Sequence, residues 1–243
     1  MPDIYSGTGD GRVASHVANS GATWADSRDA TSGTSVVTNE SSSADFVSVS
    51  RFGSRGGGNT YKVQRTFLVF DVSSITGTVA DVILNIYGSS DNDGTIWGVK
   101  GLNFIGSLAV GNFDNITGYS PGNTMIGNVT QYTSINTGGG NWSTSGYNGL
   151  TGTSDLKTDI QNENSITIVM TDYLYDARNV TPTSNGTFNC GGYYADNTGT
   201  SKDPYLSIKI AGYEHDVNTV VAASIGKVNT VAAASIGKIN SVD

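Results

Sequence analysis

The chain has 243 residues, with 13 Lys and Arg against 21 Asp and Glu, a formal net charge of -8 and a pI of about 4.6. Phosphate backbones are gripped by clustered cations, so this balance excludes a nucleic-acid partner, and a lone cysteine, Cys190, excludes an intramolecular disulfide or a cysteine-based zinc site. Charged residues are only 14%, against roughly 25% in an ordinary soluble domain, so hydroxyls and amides must keep the surface hydrated.

Residues 3 to 45 are rich in turn formers, including Ser6-Gly7-Thr8-Gly9-Asp10-Gly11 and Thr31-Ser32-Gly33-Thr34, and read as an N-terminal arm with early strands over 1–44. Asp45 to Arg51 alternates as a strand does. The clearest core signal follows in Tyr61 to Val72 and in Ala80 to Tyr87, where Val82, Leu84 and Ile86 share one face. The spacing predicts two long antiparallel strands joined by the Ser73–Gly77 turn.

Thr95 to Leu108 reads as a further strand pair, and 111–152 as a loop-heavy stretch that forms the exposed functional surface. Ser154 to Gln161 carries an N-cap and apolar spacing for one short helix. Ser165 to Thr171 and Tyr205 to Ile210 alternate cleanly through Ile166, Ile168, Met170 and through Leu206, Ile208, Ile210. Short strands between turn clusters predict an all-β fold, a jelly-roll β-sandwich over 45–212.

Residues with chemistry are few. His16 and His215 leave no Ser-His-Asp set in the core, and the carboxylates fall in turn clusters where capping explains them, so the reading is non-enzymatic with no cofactor. Asp91-Asn92-Asp93-Gly94 has the oxygen spacing of a calcium-loop fragment, but Leu102 stands where the bidentate Glu would be. A hairpin turn is the simpler reading, with Asp91 and Asp93 as the alternative candidates for Ca. Sugars stack their C–H faces on aromatic rings, and Trp142, Tyr147, Tyr193 and Tyr194 lie among amide and hydroxyl residues as candidate glycan contacts or as loop anchors.

The C-terminal segment, 213–243, contains an 11-residue repeat: Val217 to Lys227, Val228 to Lys238, and a third copy from Ile239. On a helical wheel Val217, Val220, Val221, Ile225, Val228, Val231, Ile236, Ile239 and Val242 fall on one broad face, and an 11-residue period suits a right-handed supercoil. Against a helix stand the β-branched positions and a Gly in each copy, which costs about 1 kcal/mol in a helix interior. Helical and β-like docking therefore both stay open, and both leave an apolar face in need of another chain.

Two segments carry a resemblance. Arg65-Thr66-Phe67-Leu68-Val69-Phe70-Asp71-Val72-Ser73-Ser74-Ile75, followed by Val79 to Ile86, resembles the opening strands of DNRLRE-type β-sandwich domains, and Thr198 to Ile208 is similar to their closing segment. That group consists of jelly-rolls similar to carbohydrate-binding modules, found on bacterial surface proteins and, in related forms, on phage structural proteins. The tail, with its S-I-G-K-V-N-T-V copies, looks like the S-I-x-K-V-N-G-V repeats at the ends of tailed-phage virion proteins, with Thr in place of Gly. The resemblance implies a virion structural protein, a capsid decoration, head-fibre or tail-associated display protein on the external surface. Its expected partners are other virion proteins and its own copies, as a homotrimer, with host glycans as a further possibility. The rival readings are a carbohydrate-binding, lectin-like adhesion module and, last, a polysaccharide depolymerase. Met1-Pro2-Asp3 lacks a basic and an apolar signal region, and no apolar run nears the roughly 18 residues of a membrane span. Synthesis in a host cytoplasm without membrane insertion is the matching expectation.

Overall fold

Strict alternation in a strand sends successive side chains to opposite faces, and in this chain both faces of the central strand are apolar. The computed structural model describes residues 2–211, apart from 8, 20, 39–41, 54–56, 104–106, 137–139 and 196–198, and further along 227–228 and 231–232. In chain order the elements are β1 (Asp3–Tyr5), β2 (Gly11–Val17), α1 (Trp24–Arg28), β3 (Ser35–Val37), β4 (Ser43–Gly53), β5 (Asn59–Asp71), β6 (Val79–Asn92), β7 (Ile96–Lys100), β8 (Gln131–Asn136), β9 (Tyr147–Thr151), α2 (Ser154–Asn162), β10 (Ser165–Asp172), β11 (Gly186–Tyr193), β12 (Tyr205–Ile210), β13 (Lys227–Val228) and β14 (Val231–Ala232).

The protein is an all-β sandwich made from one curled antiparallel sheet. Its strands run β1-β12-β6-β11-β4-β5-β10-β7-β8, with β2 added beside β5, β3 beside β2 and β9 beside β6. The curl passes through β6: residues 79–87 pair with β12 and β9, whereas 88–91 pair with β11 across a register shift at Gly191/Gly192. Gly88 sits at that corner because a Cβ there would collide with the Ser143 carbonyl.

Two apolar clusters result. Val82, Leu84 and Ile86 of β6 and Leu206 and Ile208 of β12 meet Leu68 and Phe70 of β5 and Ile166, Ile168 and Met170 of β10 between the two halves of the curl. Tyr61, Val63 and Phe67, the alternate residues of β5, turn to the far face, where Trp24, Leu108, Phe113, Ile116 and Met125 cover them. Three expectations change accordingly. β5 and β6 are not a hairpin, since β5 pairs with β4, β10 and β2 while β6 pairs with β12, β11 and β9. Of residues 1–44, expected as an arm with early strands, β1, β2 and β3 belong to the sheet: β1 lies against β12, β2 against β5 and β3 against β2. The stretch from 111 to 152 is not simply exposed, because Phe113, Ile116, Met125, Tyr132 and Trp142 are all buried.

The expected helix is present as α2. Thr153 caps it by accepting from the Leu156 N–H, and Leu156 and Ile160, one turn apart, are buried. Lys100 of β7 fixes its far end through Asp159 and Glu163, each at 2.9 Å.

A buried ionic cluster ties the second cluster's lid to the sheet. Arg65 of β5 donates through Nε and Nη2 to both Asp176 oxygens at 2.8 Å, and through Nη1 to the Phe113 carbonyl at 2.9 Å. Asp176 lies in a π-helical turn, Tyr173–Ala177, that follows β10. Arg28 of α1 donates to the Asp176 carbonyl, and the Arg65 guanidinium lies 4.2 Å from the Phe113 ring centroid. One side-chain set thus holds α1, β5, the Phe113 segment and the π turn together.

The two carboxylates of this region titrate in opposite senses. Burial works against the Asp176 charge, but Arg65, helped by Arg28 and Thr171, holds its carboxyl below the usual aspartate range. Burial pushes neighbouring Asp172 up to about 6, despite the bonds it accepts from the Tyr175 N–H and from Thr95. A raised folded-state pKa contributes stability that is full below the unfolded value and is lost as pH rises through the folded one; a lowered pKa does the reverse on the acid side. We expect Asp172→Asn to abolish the part of the parent's stability loss that falls between about pH 4 and 6. Parallel thermal melts across that window check this, and identical pH slopes in the two proteins would refute it.

Candidate functional site

The four aromatics named as candidate glycan contacts or loop anchors are split by the fold. Trp142 is 2% exposed, and its indole N–H donates to the Gly191 carbonyl at 2.9 Å. Its ring fills the space over the β6 corner that Gly88 leaves open. Tyr194 is wholly buried: its hydroxyl lies 2.7 Å from Thr66 Oγ1 and donates to the Asp45 carbonyl, and its ring packs on Phe46 with centroids 4.5 Å apart. Both are buried in the first apolar cluster, as the loop-anchor alternative expects. Their polar sequence neighbours concealed this, because the space each ring fills is made by residues far off in the chain, Gly88 for Trp142 and Phe46 for Tyr194.

Tyr147 and Tyr193 do come together, in company that sequence reasoning missed. Tyr5, Tyr205, Tyr147, Tyr87 and Tyr193 form a continuous row, with successive ring centroids 5.4, 5.0, 5.3 and 5.6 Å apart. They come from β1, β12, β9, β6 and β11, and register places Tyr5 opposite Tyr205 and Tyr87 opposite Tyr147. The signal was legible in the strand period. Tyr87 and Tyr205 alternate with the core-facing Ile86 and Leu206, so they point outward.

Most contacts in the row are edge-to-face, the arrangement favoured by the ring quadrupole. Tyr5 is 40% and Tyr147 36% exposed. Lys202 completes one end, its ammonium 4.3 Å from the Tyr193 ring centroid and 5.2 Å from that of Tyr87. Tyr147 donates to the Asp203 carbonyl and Tyr87 to the Ser145 carbonyl. Burial, with neighbouring phenols and Asp203 adding to it, pushes the Tyr147 phenol up to about 12, so it stays a donor at neutral pH. The patch is a continuous aromatic platform with hydroxyls at its rim.

Asp91 and Asp93 make separate contacts. The Asp91 carboxylate accepts from the Gly140 N–H at 3.0 Å, while Asp93 adopts φ 54° and bridges to Asn189. Among the described residues no three His, Cys, Asp or Glu side chains cluster as a metal ion would need. His16 lies on β2 and is exposed, and His215 is outside the described residues.

Of the repeat, Val217, Val220, Val221, Ile225, Ile236, Ile239 and Val242 lie outside the described residues. Val228 and Val231 do not: they pair with each other as β13 and β14, flanked by the Lys227–Ala232 pair, in an antiparallel ladder. At these positions the backbone is β and not helical.

No family model matches the chain, and no curated protein matches it at a significant level. Among the described residues no helix is long and apolar enough to cross a membrane.

Proposed function

We propose that this chain is a non-enzymatic structural protein of a tailed-bacteriophage particle, in which the C-terminal repeat anchors a displayed β-sandwich. The observation that carries the reading is the repeat itself. Its aliphatic residues recur every 11 positions, and the described part forms strands of only two residues each. A two-stranded ladder is marginal in water without a surface to pack on, so a repeat of this kind needs a partner. Another virion protein or a second copy of the chain supplies that surface, with a homotrimer as the preferred assembly. The resemblance of the repeat to phage virion termini supports the same choice.

Removal of residues 217–243 is expected to leave a folded, soluble body with an unchanged melting temperature, and to abolish its incorporation into particles. Mass spectrometry of purified particles made with the full and the shortened chain reads this directly. Equal incorporation of the two chains rejects the anchoring role.

A second reading, carbohydrate-dependent adhesion, is favoured by the tyrosine row. Its outward rings and rim hydroxyls suit the C–H faces and hydroxyls of a sugar, and a display protein can carry such a surface. Glycan-array binding that disappears with Tyr147→Ala supports it, and unchanged array binding opposes it.

A further inference from the structure

A second surface, separate from the tyrosine row, has the makings of a ligand site. The face of β5 that sends Leu68 and Phe70 into the core carries Thr60 and Lys62 at its other end, in the same period-two phase. There the apolar face becomes a polar groove of about 460 Å³, walled by β2, β4, β5 and β11. Ser48, Ser50 and Phe52 of β4, Lys62 of β5, His16 of β2 and Thr187 of β11 line it. The volume falls in the range of small-ligand sites.

Several of its groups lack partners. Ser48, on the groove floor, is 1% exposed, and its hydroxyl has no hydrogen-bond partner among the described residues. Buried hydroxyls are rarely left so. Among the described residues the Lys62 ammonium has no hydrogen bond or close ion pair, and its burial lowers its pKa against the attraction of Asp45. At the rim Phe52 is 49% exposed, with its ring unstacked among the described residues. The floor and walls therefore offer polar groups beside one open aromatic face.

That set discriminates between ligand classes. An apolar molecule would leave Lys62 and Ser48 unpaired in a drier site, which is costly. A small anion would meet Asp45, whose carboxylate also lines the groove and accepts from Asn189 Nδ2. A neutral saccharide satisfies both conditions, because its hydroxyls can accept from Lys62 and Ser48 and donate to Asp45 while a ring face covers Phe52. We infer that this groove is a binding site for a neutral saccharide, held by Lys62 and Ser48 and stacked on Phe52. The site is independent of the tyrosine row, so each can fail alone.

Calorimetric titration of the full chain with maltotriose, mannotriose and tri-N-acetylglucosamine tests it, with inorganic phosphate as the anionic arm. At least one trisaccharide is expected to bind. Lys62→Met and Phe52→Ala should each weaken that binding about tenfold, the loss of one charge-assisted bond or one ring contact. Tyr147→Ala should leave it unchanged, and far-UV dichroism should show all three variants folded. Absence of any sugar binding overturns the inference. So does sugar binding that survives both groove variants, sugar binding lost only with Tyr147→Ala, or binding of phosphate alone.

Discussion

Asp176→Ala is expected to cost about 3–5 kcal/mol of stability, because it strands the buried Arg65 charge without its carboxylate. Arg65 and Asp176 are both fully buried, and the pair makes two bonds of 2.8 Å. Arg28, equally buried, loses part of its compensation as well, since its Nε lies 3.5 Å from Asp176 Oδ1. For a chain of this size such a loss lowers the melting temperature by roughly 10 °C, a large share of a typical native stability of about 5–15 kcal/mol. The double variant Arg65→Met with Asp176→Leu removes both charges and should fall less than the sum of the single changes. Additive melting shifts across that cycle would show that the two groups do not act as a unit.

Trp142→Ala is expected to rank beside it, at about 3–5 kcal/mol, the usual cost of deleting a buried indole. The cavity would open at the β6 corner, where no neighbouring glycine can extend a side chain to fill it, and the Gly191 carbonyl would lose its donor. Tyr147→Ala should cost about 1–2 kcal/mol, because it gives up two edge-to-face ring contacts from a partly exposed site. Urea or thermal melts of the two variants separate a core residue from a surface one. A Trp142 variant as stable as the Tyr147 variant would contradict the placement of its indole.

How far the chain can be read without coordinates depends on the range of the interactions involved. Local patterns were sound guides: Ser154 to Gln161 does form α2, and the alternation in Ser165–Thr171 and Tyr205–Ile210 does form β10 and β12. The aromatics were a poorer guide. Trp142 and Tyr147 sit five residues apart in similar polar company, yet one is core and the other surface. The tyrosine row needs five strands from both ends of the chain, and the groove needs four, so neither exists in any one stretch of sequence. A hydroxyl without a partner, as at Ser48, is visible only once its neighbours are placed.

Composition and period by themselves determined an all-β chain with the capped helix α2, though not the five-residue α1, and an iterated aliphatic terminus, because strand alternation, N-caps and repeat spacing act over a few residues. Tertiary structure alone decided which strands pair with β5 and β6, that the Phe113–Met125 stretch closes a second core, and which rings face solvent. Those outcomes follow from contacts between residues far apart in the chain, where a glycine on one strand makes room for a ring from another and a buried arginine demands its carboxylate.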